Sequence, residues 1–230
     1  LNYEGVPTRK YAEDVNRSVM NWVKKDIDKP FFVFINYFDV HDPYLPPEPY
    51  RSKYASVPNP GGLINGFMER YSPSLTPEQV QSEIDAYDGS ISYVDDQIKD
   101  LFGELEQRGL LEDTIVIITS DHGESLGEHG LLQHSASLYL EEIHVPLIVW
   151  GVDNIPAGMV INTPVSLTAL PATLLSLSNS SDEIFPGPSL ALIMTDANAG
   201  ANWPDPISEV AQMDGAAEQK GFLLHDANLP

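Results

Sequence analysis

An apolar run, Ile115-Val116-Ile117-Ile118-Thr119, stops at Ser120-Asp121-His122-Gly123-Glu124-Ser125-Leu126-Gly127-Glu128-His129-Gly130. A short continuous run of β-branched residues reads as a strand buried on both faces, and the glycine-punctuated polar stretch after it cannot continue that strand. The strand therefore ends on adjacent Asp and His, both able to ligate a divalent cation. Open α/β folds place their chemistry at this carboxyl edge of the sheet.

The segments around it fit that architecture. Ala12, Val15, Val19, Trp22, Val23 and Ile27 recur at three- and four-residue spacing and predict an amphipathic helix over residues 8–28, stopped by Pro30. Phe31-Phe32-Val33-Phe34-Ile35-Asn36 reads as a strand buried on both faces. Prolines at 43, 46, 47 and 49 then hold His41 in a stiff loop just past that strand. Residues 50–75 lack periodicity and read as a long surface excursion over the site. Thr76-Pro77-Glu78-Gln79 carries a capping box with Pro at the first helical position, and Gly109 closes the far end. Between them Ile84, Tyr87, Ile91, Val94, Ile98, Leu101 and Leu105 form the stripe expected to pack on a sheet. Strand, helix and strand 115–119 make the crossover of an α/β domain. A short helix at 135–142, a buried strand at 145–150 and an apolar helix at 168–177 follow; beyond 180 the pattern fades.

Composition narrows the function classes. The 230 residues are 42% hydrophobic, enough for a substantial core, and no run approaches the roughly 18 apolar residues of a membrane span. Thirty-four acidic against twelve basic residues give a net charge of −22, which argues against nucleic acid or an anionic membrane as partner. The acids are dispersed, the mark of a solvated surface; adaptation to a salty habitat is the sharper reading. No cysteine is present, which excludes disulfides, thiolate metal sites and a cysteine nucleophile within these residues. The sequence starts at Leu1 without the layout of a signal peptide and reads as an excerpt.

From the residues alone, Asp121 and His122 fit a cation site, or a carboxylate capping a neighbouring helix beside a partly exposed imidazole. His41 and His134 are either hydrogen-bonded surface residues or contacts to an anionic substrate, able to protonate a departing oxygen. His129, close to two glycines, is a turn residue or a substrate contact, and His144 reads as structural.

Three motifs carry a resemblance. They are Pro30 to Asn36 through His41-Asp42-Pro43-Tyr44; Tyr87-Asp88-Gly89-Ser90-Ile91 through Val94-Asp95 to Asp113-Thr114-Ile115-Val116; and Ser120 to Glu124 through Glu128-His129-Gly130 and Leu138-Tyr139 to Val145-Pro146-Leu147-Ile148-Val149. On these motifs residues 1–195 resemble the sulfatase family of the alkaline phosphatase superfamily. The resemblance implies a three-layer αβα sandwich around a mostly parallel sheet, with residues 1–178 forming part of that domain. Residues 179–230 are then a linker and the start of a small carboxyl-terminal subdomain. It implies hydrolysis of sulfate esters, of small molecules or glycans, at one divalent cation: calcium foremost, manganese or zinc as alternatives. Asp121 and His122 would be metal ligands. His41 would touch the transferred group or its leaving oxygen, and His134 would stand where many members carry an anion-binding Lys. His144 replaces a common Arg.

The family's upstream acids and its formylglycine-forming Cys-x-Pro-Ser-Arg segment have no counterpart in these residues. The chain is therefore expected to hold half of a metal site and to be inactive alone. Other readings are a phosphoester or phosphonate hydrolase, a phosphoryl-group transferase of the same superfamily, or an inactive remnant or binding domain.

Overall fold

A computed structural model describes residues 9–23, 29–64, 75–135, 137–151, 155, 157–180, 185, 187–196, 199–210 and 221–224. They form two compact units, one of residues 1–111 with 125–133, the other of residues 112–124 with 134–230.

In the first unit, α1 spans Ala12–Val23 and buries Ala12, Asn16, Met20 and Val23, one stripe at helical spacing. Residues 24–28, the rest of the predicted helix, lie outside the described residues, as does residue 8. The start of α1 is held by a distant residue: Ala12 N–H donates to Oδ1 of buried Asp39 at 3.2 Å. Such a bond satisfies one of the donors that every helix start leaves open.

The long helix α3 (Pro77–Glu106) has the expected start. Thr76 Oγ1 accepts from Gln79 N–H while Gln79 Oε1 accepts from Thr76 N–H. It ends in a Schellman arrangement, with Gly109 at φ 67° and bonds from Leu110 N–H to Leu105 O and Gly109 N–H to Glu106 O. Its buried face departs from the predicted stripe. Leu101 and Leu105 are buried, but Ile91 is exposed and the first half buries Ser82, Glu83, Asp85, Ala86, Gly89 and Ser90.

The reason lies in the segment before it. Ser56 N–H donates to Asp85, Gly61 N–H to Ser82 Oγ and Leu63 N–H to Glu83 Oε1, so a polar helix face satisfies the backbone of an irregular stretch. Residues 54–64 are thus docked rather than a free excursion, with Pro60 and Ile64 fully buried. A short helix, α2 (Tyr50–Lys53), precedes them. Residues 65–74 of the predicted excursion lie outside the described residues. Tyr44, Ile64, Ala86 and Leu132 form the core of this unit.

The predicted strand at 31–36 does not form. Among the described residues no strand pairs with it, and without a ladder an extended segment is not a strand. Phe32 and Phe34 are 72% and 81% exposed, against the expected burial on both faces.

In the second unit, β1 (Val116–Thr119) pairs antiparallel with β4 (Leu147–Trp150), Ile118 opposite Ile148. Leu147 and Val149 pack on a core of Ala169, Leu190, Ile193 and Met194, while Ile148 and Trp150 are exposed, so the strand expected to be buried is covered on one face only. The predicted helix after the loop contracts to α4 (Leu140–Ile143), and the one at 168–177 forms as a 3-10 turn, Leu167–Ala169, running into α5 (Leu170–Leu177). Two further pairs, β2 (Ser125–Leu126) with β3 (Leu132–Gln133) in the first unit and β5 (Ile207–Val210) with β6 (Gly221–Leu224) in the second, are also antiparallel. Each pairing among the described residues is therefore antiparallel. Between β1 and β4 the chain runs through β2, β3 and α4, and with no strand at 31–36 the predicted strand–helix–strand crossover into β1 does not form among the described residues. Also among the described residues, no helix is long and apolar enough to cross a membrane.

Candidate functional site

In the second unit β1 ends at Thr119 and the chain turns at once. Ser120 Oγ donates to His122 O at 2.6 Å, and Asp121 Oδ1 accepts from His122 N–H at 3.1 Å. The loop is pinned from α4: Gly123 N–H donates to Glu142 O at 2.7 Å and Glu124 N–H to Glu141 O at 2.8 Å. Gly123 is needed for this approach, since a Cβ there would stand 2.0 Å from Glu141 O. The requirement at Gly123 is one of space.

His122 Nδ1 lies 2.8 Å from Gly123 O, a contact that assigns its proton to Nδ1 and the lone pair to Nε2. Nε2 is 3.8 Å from Asp121 Oδ1, a gap that a cation about 2.0–2.4 Å from each donor would span. A bound backbone carbonyl on the other imidazole nitrogen is the usual outer support of a metal-ligating His. Asp121 is 87% exposed in its side chain, so its carboxylate is open to solvent.

His134 joins His122: the rings stack with centroids 3.9 Å apart at 25°. His134 Nδ1 meets Glu124 Oε1 at 3.1 Å, and the Glu124 side chain is only 4% exposed. Sequence reading quoted Glu124 without giving it a role; its signal was a carboxylate ten positions before a His in a loop that doubles back.

His41 belongs to the first unit. Its Nδ1 lies 2.8 Å from Asp42 Oδ1, and Asp42 Oδ2 accepts from Gln133 Nε2 at 3.0 Å. The Asp42 hydrogen bond raises the His41 pKa above its ordinary value, opposed by partial burial and by the Arg9 charge. Phe38 stacks on the His41 ring at 4.6 Å and Arg9 lies over Phe38 at 4.4 Å, its Nη1 donating to His41 O. Asp42 stood in the first motif without a role of its own, and neither Arg9 nor Gln133 was singled out by sequence.

His129 is exposed at the turn between β2 and β3 with φ 56°, which accords with a turn residue. His144 is exposed just after α4, its N–H donating to Leu140 O.

A sequence profile of the sulfatases matches residues 2–180. The chain belongs to the sulfatase family. It is 31% identical to the uncharacterized sulfatase YidJ of Escherichia coli over 182 residues, covering 72% of this chain and 35% of that protein. It is 25% identical to the choline-sulfatase of Rhizobium meliloti over 215 residues, covering 86% of this chain and 38% of that protein. Its fold matches the crystal structure of the phosphonate monoester hydrolase of Agrobacterium radiobacter with a TM-score of 0.73 at 21% identity, over 91% of this chain and 48% of that one.

That likeness gives this sulfatase chain an alkaline-phosphatase-like α/β fold, present in part. The chain spans about a third of the length of the curated relatives it matches. The family generally uses a divalent metal, and the carboxylate and imidazole at the end of β1 suit one.

Proposed function

We propose that this chain carries the cation-binding and leaving-group side of a sulfate-ester hydrolase. One observation bears most of the weight: Asp121 Oδ1 and His122 Nε2 stand 3.8 Å apart at a strand end, with His122 Nδ1 held by Gly123 O. In this reading Asp121 and His122 ligate one divalent cation. His134, oriented by Glu124, and His41, oriented in its own unit, contact the sulfate group, and His41 delivers the proton to the leaving oxygen. His129 contacts substrate beyond the reacting group. A bound cation supplies positive charge where negative charge develops in the transition state. A mixed oxygen and nitrogen donor set admits calcium, the favoured ion, as well as manganese and zinc. Residues 1–178 belong to the catalytic domain, and residues 179–230, with the β5–β6 pair, to a linker and the start of a small subdomain.

The phosphonate monoester hydrolase fold match supports a second reading, in which the same side chains serve a phosphonate or phosphate ester. The test is calorimetric titration of the chain with calcium, manganese and zinc, beside turnover of an aryl sulfate and an aryl phosphonate. Saturable binding lost in Asp121→Ala supports the ligand assignment; wild-type binding by that variant sinks it. Robust turnover by these 230 residues alone would overturn the expectation that the nucleophile lies elsewhere.

A further inference from the structure

Three polar groups compete for one nitrogen of His41. Asp42 Oδ1 lies 2.8 Å from Nδ1 and the Asp42 carbonyl oxygen 3.0 Å, both acceptors, while Arg9 Nη2, a donor only, lies at 3.1 Å. A neutral imidazole can satisfy one side or the other. With a proton on Nδ1, both Asp42 oxygens are served; without it, Arg9 is served and a carboxylate faces a lone pair. Arg9 loses little in the first case, because its Nη1 also donates to His41 O and its plane rests on Phe38.

The carboxylate itself is fixed from the other side. Gln133 is 2% exposed and its Nε2 donates to Asp42 Oδ2 at 3.0 Å, leaving Oδ1 to face the ring. Gln133 holds this position with φ 67°, a left-handed backbone that a residue with a side chain adopts only when its surroundings over-determine it.

We infer that Asp42, clamped by Gln133, is the positioning residue of His41: it places the proton of the neutral ring on Nδ1 and reserves Nε2 for the proton exchanged with substrate. The inference rests on the proposed role of His41 for its purpose, but the tautomer stands on this geometry alone. With Nδ1–H held on Asp42, a second proton taken up by the ring sits on Nε2; the imidazolium so formed donates in one fixed direction to a leaving ester oxygen and returns to the neutral Nδ1–H form.

The experiment reads the tautomer without catalysis. Long-range proton–nitrogen correlation spectra of the 15N-labelled chain, above the titration of His41, distinguish a protonated Nδ1 from a protonated Nε2. The wild-type ring is expected as the Nδ1–H form, and Asp42→Ala is expected to shift the ratio toward Nε2–H by roughly tenfold or more, the worth of a hydrogen bond to a charged group.

Asp42→Asn, which keeps an acceptor, should restore most of the Nδ1–H form, and Gln133→Leu should give a mixture. Should Asp42→Ala fail to fold, these two variants carry the test: an Nδ1–H population unchanged in Gln133→Leu overturns the clamp. A wild-type ring protonated at Nε2 overturns the whole inference. Neither result touches the hydrolase reading, whose own failure would be absent cation binding beside an unaltered tautomer.

Discussion

The carbonyl oxygen of Glu141 occupies the place a side chain on Gly123 would need, 2.0 Å from a Cβ built there. A backbone oxygen cannot swing aside as a side chain can, and this one also receives Glu124 N–H at 2.8 Å. Gly123→Ala must therefore push the loop after β1 away from α4. A cost of about 1–3 kcal/mol is expected, the range for inserting a methyl group into packed structure. Thermal melts check it, and cation affinity measured by calorimetry should fall in parallel, because His122 is positioned through Gly123 O.

The start of α3 offers a cleaner stability measurement. Thr76→Ala removes the oxygen that accepts from Gln79 N–H but leaves the buried face of the helix untouched. Loss of such a cap costs about 1 kcal/mol. Denaturant unfolding should show a lower midpoint with an unchanged slope, since the surface exposed on unfolding is the same.

Asp39 makes stability depend on pH. Burial raises its pKa from 3.8 to about 6, against the pull of Ala12 N–H and the Arg9 charge. The folded chain then holds a proton that the unfolded chain releases, so stability is greatest below the unfolded value and falls as pH rises through about 6. The shift corresponds to a loss on the order of 2–3 kcal/mol from this group. Asp39→Asn keeps an acceptor for Ala12 N–H and should flatten the dependence between those values. Chemical denaturation at several pH values in that window reads both curves, and parallel curves would refute the assignment.

What was legible in the sequence followed from local chemistry. The capping box at Thr76, the Gly109 terminus and the β1 end at Ser120 are each written in a few adjacent residues, and each appears as read. What was not legible depended on distant partners. The run 31–36 has strand composition, but a strand exists only as half of a pair, and none pairs with it among the described residues. The buried polar face of α3 is likewise invisible to hydropathy, because Ser82, Glu83 and Asp85 are buried by what they hold between residues 56 and 63. At the candidate site Asp121, His122, His41 and His134 could be named from the sequence, whereas the partners that hold His134 and His41 in place could not. Glu124 and Gln133 matter through pairings ten and 91 positions away in sequence.

Asp121 separates binding from folding. Its side chain is 87% exposed and its contacts are to its immediate neighbours, Ser120 and His122, so Asp121→Ala should leave the metal-free melting temperature nearly unchanged. Added cation stabilises whatever it binds in the folded state, by an amount that grows with concentration over the dissociation constant. The wild-type chain should thus melt higher as calcium, manganese or zinc is added, by about 2.7 kcal/mol at a hundredfold excess over that constant. The variant should show at most a small rise, because one anionic donor of two is gone while His122 keeps its place through Gly123 O. If both chains gain equally from the cation, binding is elsewhere and the assignment to the end of β1 is wrong. If the variant already melts lower without cation, Asp121 is a structural residue of the loop.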